Sequence, residues 1–227
     1  MTEQKNAVAE AHDGDVYRQV EQFFLKNRNM ILGVLAVLVI GIGGYFGYKK
    51  FIQEPKELDA RNKITIAQGY FANDSLDLAL NGDGINPGFL AISSSYKNTA
   101  TGNLCQYYIG VIYLKQEQTD LAIEHLGKYK PGTDELKGVT HMLLGHAWAD
   151  KGDNTKAVAE YKEAGKSAKN DMYSPYYYKM AGDLLLVMED YGQALDMYKL
   201  IKKEYPLSEE GQNIDKEIAY AETKMGK

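Results

Sequence analysis

The chain has 227 residues, a formal net charge of -5 and a mean hydropathy of -0.41. From residue 51 onward it carries 20 Lys and Arg against 26 Asp and Glu, a net of -6 with no basic cluster, so nucleic acid is a poor candidate partner. Cys105 is the single cysteine, which excludes an intramolecular disulfide and a thiolate-rich metal site and leaves stability to packing.

Residues 1 to 29 read as a tail. The first 14 are polar and broken by Gly14, a composition that predicts disorder. Asp15 to Asn27 reads as a short amphipathic helix with Asp15 as N-cap and Val16, Val20, Phe23 and Phe24 on one face, turned toward a membrane surface or a partner.

Met30 to Tyr48 is a run of 19 uncharged residues. A helix of that length covers roughly the 30 Å hydrocarbon core of a bilayer. It lacks the polar stripe of a buried core helix and lies too far into the chain, with no small-residue cleavage site after it, for a cleaved signal. Tyr45, Phe46, Tyr48, Lys49 and Lys50 supply an aromatic and basic edge, so the expectation is an uncleaved transmembrane anchor. The flanking charges, Arg18, Lys26 and Arg28 before the span against Lys49, Lys50, Lys56, Arg61 and Lys63 after it, mildly favour a cytoplasmic C-terminal domain. Gly41, Gly44 and Gly47 recur every three residues and Gly43 with Gly47 makes a GxxxG; they form either a helix-packing face in lipid or the ordinary glycine content of a spanning helix.

Residues 49–55 read as a linker and 56–227 as one helical domain. Leu58 to Phe71 and Ser75 to Leu80 suggest a degenerate opening hairpin, Asn81 to Gly88 a turn-rich stretch, and Phe89 to Tyr96 a further helix. Three repeats follow, near 103–137, 138–174 and 175–208. Gly110, Gly145 and Gly182 form one column, and Ala122, Ala157 and Ala194 another, each alanine the same distance after its glycine. Small residues in register mark close helix crossings, with Tyr113, Trp148 and Leu185, then Leu126, Tyr161 and Tyr198, filling the space around them. Lys151-Gly152-Asp153 marks a turn, and Glu209 to Met225 reads as a capping helix with Ile214, Ile218, Ala221 and Met225 on its inner face.

Local chemistry is sparse. His12, His125, His141 and His146 have no metal-ligand spacing. Asn81-Gly82-Asp83-Gly84 is placed like a calcium loop, but Ala79 and Leu90 occupy the positions where carboxylates are needed. No phosphate loop, nucleophile elbow or HExxH occurs, so neither cofactor nor catalysis is expected.

The segments QYYIGVIY with LAIEHLGKY, HMLLGHAW with KAVAEYKEA, and YKMAGDLL with QALDMYKLIKKEYP resemble tetratricopeptide repeats at a period near 34 residues. The resemblance implies an all-α architecture: one N-terminal transmembrane helix, then a tetratricopeptide-like solenoid of helical hairpins with a C-terminal capping helix. It also implies a concave groove lined by the second, fifth and ninth positions of each first helix. These are Leu104, Tyr107 and Val111, then Val139, Met142 and His146, then Tyr176, Lys179 and Asp183. That lining suits an apolar segment or a partner's helix, and the Lys/Asn/Arg clamp of chaperone-binding family members is absent.

The layout, with VEQFFLKNRN running into a glycine-rich span and an aromatic and basic exit, resembles the YfgM-like ancillary subunits of the bacterial Sec translocon. The resemblance implies a non-catalytic protein of the bacterial inner membrane with a cytoplasmic tail and a periplasmic domain. It would sit in membrane lipid beside SecYEG and a PpiD-like membrane-anchored chaperone and assist unfolded secreted chains. A scaffold or adaptor of a different membrane or envelope complex is the alternative.

Overall fold

The computed structural model describes residues 2–226, and side chains for 17, 18 and 20–226. Apart from one isolated bridge between Gly82 and Pro87, the described elements are helices. Contacts divide the chain into two units, 1–55 and 56–227.

The first unit is a long helix, α1 (Thr2–Tyr48). The tail expected to be disordered is helical from Thr2, and no helix starts at Asp15. The first turns are rich in Ala, Glu, Gln and Lys, which rules out a core but favours helix. The side chain of Val16 lies outside the described residues, while Val20, Phe23 and Phe24 are exposed. The apolar window has a mean hydropathy of 2.3 with 0% of it buried, so this helix is long and apolar enough to cross a membrane.

The expected linker 49–55 is helical as well. Lys49–Gln53 forms a π-helical turn, closed by the Glu54 N–H donating to the Lys49 carbonyl, and leads into α2 (Glu54–Ala72). Pro55 explains the widened turn: it has no N–H to donate and its ring crowds the carbonyl four residues back.

The second unit is a stack of helical hairpins. After α2 come α3 (Leu76–Asn81) and α4 (Phe89–Ser95), then the pairs α5 (Ala100–Lys115) with α6 (Thr119–Lys128), α7 (Asp134–Asp150) with α8 (Asn154–Ala168), and α9 (Ser174–Val187) with α10 (Tyr191–Glu204). Four turns, α2–α3 among them, are built alike. Asp74, Glu117, Gly152 and Glu189 each hold a left-handed conformation, with φ of 55°, 58°, 83° and 61°. At each, that residue's N–H bonds three residues back and the next N–H bonds five back, as in Gly152 to Ala149 at 2.8 Å and Asp153 to Trp148 at 2.9 Å. Asp153 and Asp190 then cap the returning helices through the N–H groups of Lys156 and Gln193, both at 3.1 Å.

At the expected close crossings, each glycine of the column lies under one of the bulky fillers. A Cβ on Gly110 would meet Leu126 Cγ at 2.5 Å, on Gly145 Tyr161 Cε1 at 2.4 Å, and on Gly182 Tyr198 Cε1 at 2.5 Å. Each glycine therefore makes room for the large side chain four residues after its partner alanine, and Ala122, Ala157 and Ala194 are fully buried beside it. Dense packing against these side chains sets the spacing of each pair. In the upstream hairpins the core is aromatic, with Phe89 stacked on Tyr108 at 4.7 Å and Phe71 edge-on to Tyr108 at 5.2 Å.

The loop after α3 is held by Asp83. Its carboxylate accepts from the N–H groups of Ile85 (2.8 Å) and Asn86 (2.6 Å), from Asn86 Nδ2 (2.8 Å) and from the Tyr70 hydroxyl (2.7 Å). Led by Asn86, these bonds hold the Asp83 carboxyl well below the usual range.

The expected single capping helix is two, α11 (Glu209–Asn213) and α12 (Asp215–Lys224), broken at buried Ile214. Ile214, Ile218 and Ala221 face inward, whereas Met225 remains exposed. Entry into α11 repeats entry into α5: Thr99 and Ser208 each donate to the carbonyl of a tyrosine three residues back, Tyr96 and Tyr205, and accept from the N–H of Gly102 and Gly211. A Cβ on either glycine would lie 2.0 Å from that tyrosine's carbonyl oxygen.

Candidate interaction cleft

A cleft of about 460 Å³ opens between α7, the start of α9 and the start of α11, lined by Met142, Asp171, Met172, Tyr173, Tyr176, Tyr177, Ser208, Glu209 and Glu210. Its shape comes from a pinned loop. Lys169, at φ 50°, ends α8, and Asn170 Oδ1 then accepts from the N–H groups of Met172 (3.1 Å) and Tyr173 (2.7 Å). Pro175 in the first turn starts α9 without losing a needed N–H. Met172 is thereby displayed at 72% exposure, with Tyr173 at 41% and Tyr176 at 46%, over a floor formed by buried Tyr177. The Tyr177 ring lies 6.3 Å from Tyr173, nearly parallel, and 5.8 Å from Tyr176.

The electrostatics are one-sided. No Lys, Arg or His lines the cleft, and among the described residues none of Asp171, Glu209 and Glu210 has an ion-pair partner. Burial, then the neighbouring tyrosines, push the Tyr177 phenol up, so it stays a neutral donor through the physiological range.

Of the nine expected groove residues, Met142 and Tyr176 line this cleft together. Leu104 packs on the upstream core, and Tyr107 sits against Tyr108 and Tyr129 at 5.8 and 5.5 Å. Val111 and Val139 are half-buried. His146 is bound within its own hairpin, its Nδ1 3.1 Å from the Tyr161 hydroxyl. Lys179 and Asp183 pair with each other at 2.7 Å and tie α9 to its neighbours: the Tyr198 hydroxyl donates to Asp183 at 2.9 Å, and Lys179 lies 3.9 Å from Glu217. The loop residues 171–173 and the first turn of α11 were not among the groove positions, because a column read from one helix of each repeat does not register what the following loop and helix add.

The His12 side chain lies outside the described residues, and the other two histidines are held by polar partners on the neighbouring helix. His125 Nδ1 lies 2.7 Å from Gln106 Oε1, and His141 Nδ1 lies 2.7 Å from Glu160 Oε2. Among the described residues no three His, Cys, Asp or Glu gather as a metal site. A second hollow, of about 490 Å³, is basic, with Lys97, Lys128 and Lys130 around Asn103 and Gln106. Gly41, Gly43, Gly44 and Gly47 all face open space, where an added Cβ would meet nothing within 4 Å. No family model matches the chain, and no curated protein matches it.

Proposed function

We propose that the chain is a non-catalytic, membrane-anchored interaction protein that works as an accessory subunit of a Sec-type translocation channel, assisting secreted chains together with a membrane-anchored chaperone. The observation that carries this reading is the pairing, in one polypeptide, of an apolar helix with none of its window buried and a hairpin stack that displays an open aromatic cleft. An unburied apolar helix needs lipid or a partner helix, and an exposed aromatic cleft suits a peptide segment. In this reading α1 crosses the inner membrane through Met30 to Tyr48, the tail is cytoplasmic, and the hairpin stack is periplasmic. The glycine face of α1, open on all sides, is then available to a neighbouring helix in lipid.

The test is purification of the full chain in mild detergent after cross-linking in cells, followed by mass spectrometry. Recovery of channel and chaperone subunits is expected; reproducible recovery of the anchored chain without either overturns the proposal.

A second reading, a scaffold for another membrane complex, draws on one observation. Within about 20 residues of the span, five basic residues, Lys49, Lys50, Lys56, Arg61 and Lys63, follow it while three, Arg18, Lys26 and Arg28, precede it. Positive charge is retained on the cytoplasmic side, so this count favours a cytoplasmic hairpin stack. Reporter fusions at the C-terminus separate the two: activity of a periplasmic reporter supports the first reading, and activity of a cytoplasmic reporter alone supports the second.

A further inference from the structure

We propose that the cleft between α7, α9 and α11 binds an extended peptide segment in which a lysine or arginine stands beside an aromatic or aliphatic residue. This deepens the interaction-protein reading and rests on it. The hollow holds two or three side chains rather than a whole helix, being in the lower part of the range of ligand sites, about 300–1,000 Å³.

Two kinds of surface meet in it. Met142 and Met172 offer flexible thioether walls that adapt to apolar side chains of differing shape. The exposed rings of Tyr173 and Tyr176, set over buried Tyr177, offer π faces, which attract an ammonium or guanidinium group as readily as an apolar one. Asp171, Glu209 and Glu210 stand around these walls without a described cation to neutralise them. A basic side chain would satisfy them, whereas an acidic ligand would meet three like charges. A free small cation would leave the thioethers in water, and a wholly apolar segment would leave the carboxylates unanswered, so the occupant combines both.

The cleft is also held in advance. Asn170 pins the Met172 loop, Pro175 fixes the start of α9, and Ser208 caps α11 through the Gly211 N–H at 3.0 Å. Little ordering is left to be done on binding. The basic hollow around Lys97 and Lys130 has the opposite charge and serves as an internal contrast.

The full chain in mild-detergent micelles is titrated by fluorescence anisotropy with labelled Gly-Leu-Arg-Phe-Arg-Leu-Gly and with versions carrying glutamine or glutamate in place of both arginines. At about 50 mM salt the arginine peptide is expected to bind about tenfold more tightly than the glutamine peptide and the glutamate peptide most weakly, with the preference shrinking at about 300 mM. The triple variant Asp171→Asn, Glu209→Gln, Glu210→Gln, which keeps side-chain size at exposed or half-buried positions, is expected to abolish the arginine preference while retaining the glutamine peptide. Tyr176→Ala is expected to weaken both. Equal binding of all three peptides, a preference that survives the triple variant, or no binding up to about 1 mM overturns the proposal. So does concentration-dependent self-association that the triple variant removes, because the occupant is then a second copy of the chain. Failure here with translocon partners still recovered by cross-linking sinks only the cleft; loss of those partners with peptide binding intact sinks only the assignment to the channel.

Discussion

Replacing Gly145 by alanine adds one methyl group at a place already filled. Its Cβ would lie 2.4 and 2.5 Å from Tyr161 Cε1 and Cδ1, about 1 Å inside ordinary carbon contact. The ring cannot swing freely, since Tyr161 is buried and its hydroxyl is held by His146. Overpacking of this kind costs ~1–3 kcal/mol. Alanine returns up to ~1 kcal/mol through its higher helix propensity, which leaves a net loss centred on ~1–2 kcal/mol. Gly69 in α2 supplies the control, because a Cβ there meets nothing within 4 Å and only the propensity gain applies. Thermal unfolding of the full chain in detergent, followed by helical circular dichroism and by Trp148, the single tryptophan and one turn along α7 from Gly145, reads both variants. Gly145→Ala should lower the midpoint by about 2–8 °C and Gly69→Ala should leave it unchanged or raise it slightly. A Gly145→Ala midpoint at or above that of the unaltered chain would refute the claim that Tyr161 occupies the glycine's space.

Three further outcomes are expected. At the shared turn, Gly152→Ala should cost ~1 kcal/mol and Glu189→Gly should gain up to that much, since both positions have positive φ and only glycine adopts it without strain; urea midpoints will show whether the signs differ. Burial, then Asp150, raises the Tyr161 phenol to about 12, and burial with Asp183 raises that of Tyr198 further. Their unfolded counterparts titrate near ~10, so the unfolded chain loses protons first and stability falls as pH rises from about 10 to 12, by at most ~1.4 kcal/mol per pH unit per tyrosine. Tyr161→Phe should flatten that slope in alkaline urea titrations. Burial pushes the Cys105 thiol up to about 12, so a disulfide reagent at about pH 8 should leave the folded chain unlabelled and modify it once urea is added.

Much of the hairpin stack was legible because its packing rule is periodic. Gly110, Gly145 and Gly182 had to be small for Leu126, Tyr161 and Tyr198 to fit, and that requirement is written at a fixed spacing; that these three, rather than Tyr113, Trp148 and Leu185, sit over the glycines is clear only in three dimensions. The turns were harder to read. Gly152 announced one, but Asp74, Glu117 and Glu189 hold the same left-handed position without glycine, at a steric cost that the Schellman-type bonds and helix packing offset. Tyr96-Thr99-Gly102 and Tyr205-Ser208-Gly211 repeat one N-terminal device far apart in the chain, a spacing visible in the sequence once the carbonyl contact explains it. The π-helical turn before Pro55 and the break at Ile214 left no periodic trace. The cleft was half legible: Met142 and Tyr176 fall at repeat positions, while Met172, Glu209 and Glu210 arrive from a loop and from the next helix.

The placement of that cleft has a thermodynamic corollary. Each hairpin in such a stack is supported by its neighbours alone, so the C-terminal end can fray while the middle stays folded. Met142 belongs to the middle of the array and Glu210 to its last turns, and the cleft exists only while both are in place. Whatever occupies it acts as a strut across the fraying boundary, and slowed amide exchange in α11 and α12 on titration would measure occupancy and order as one quantity.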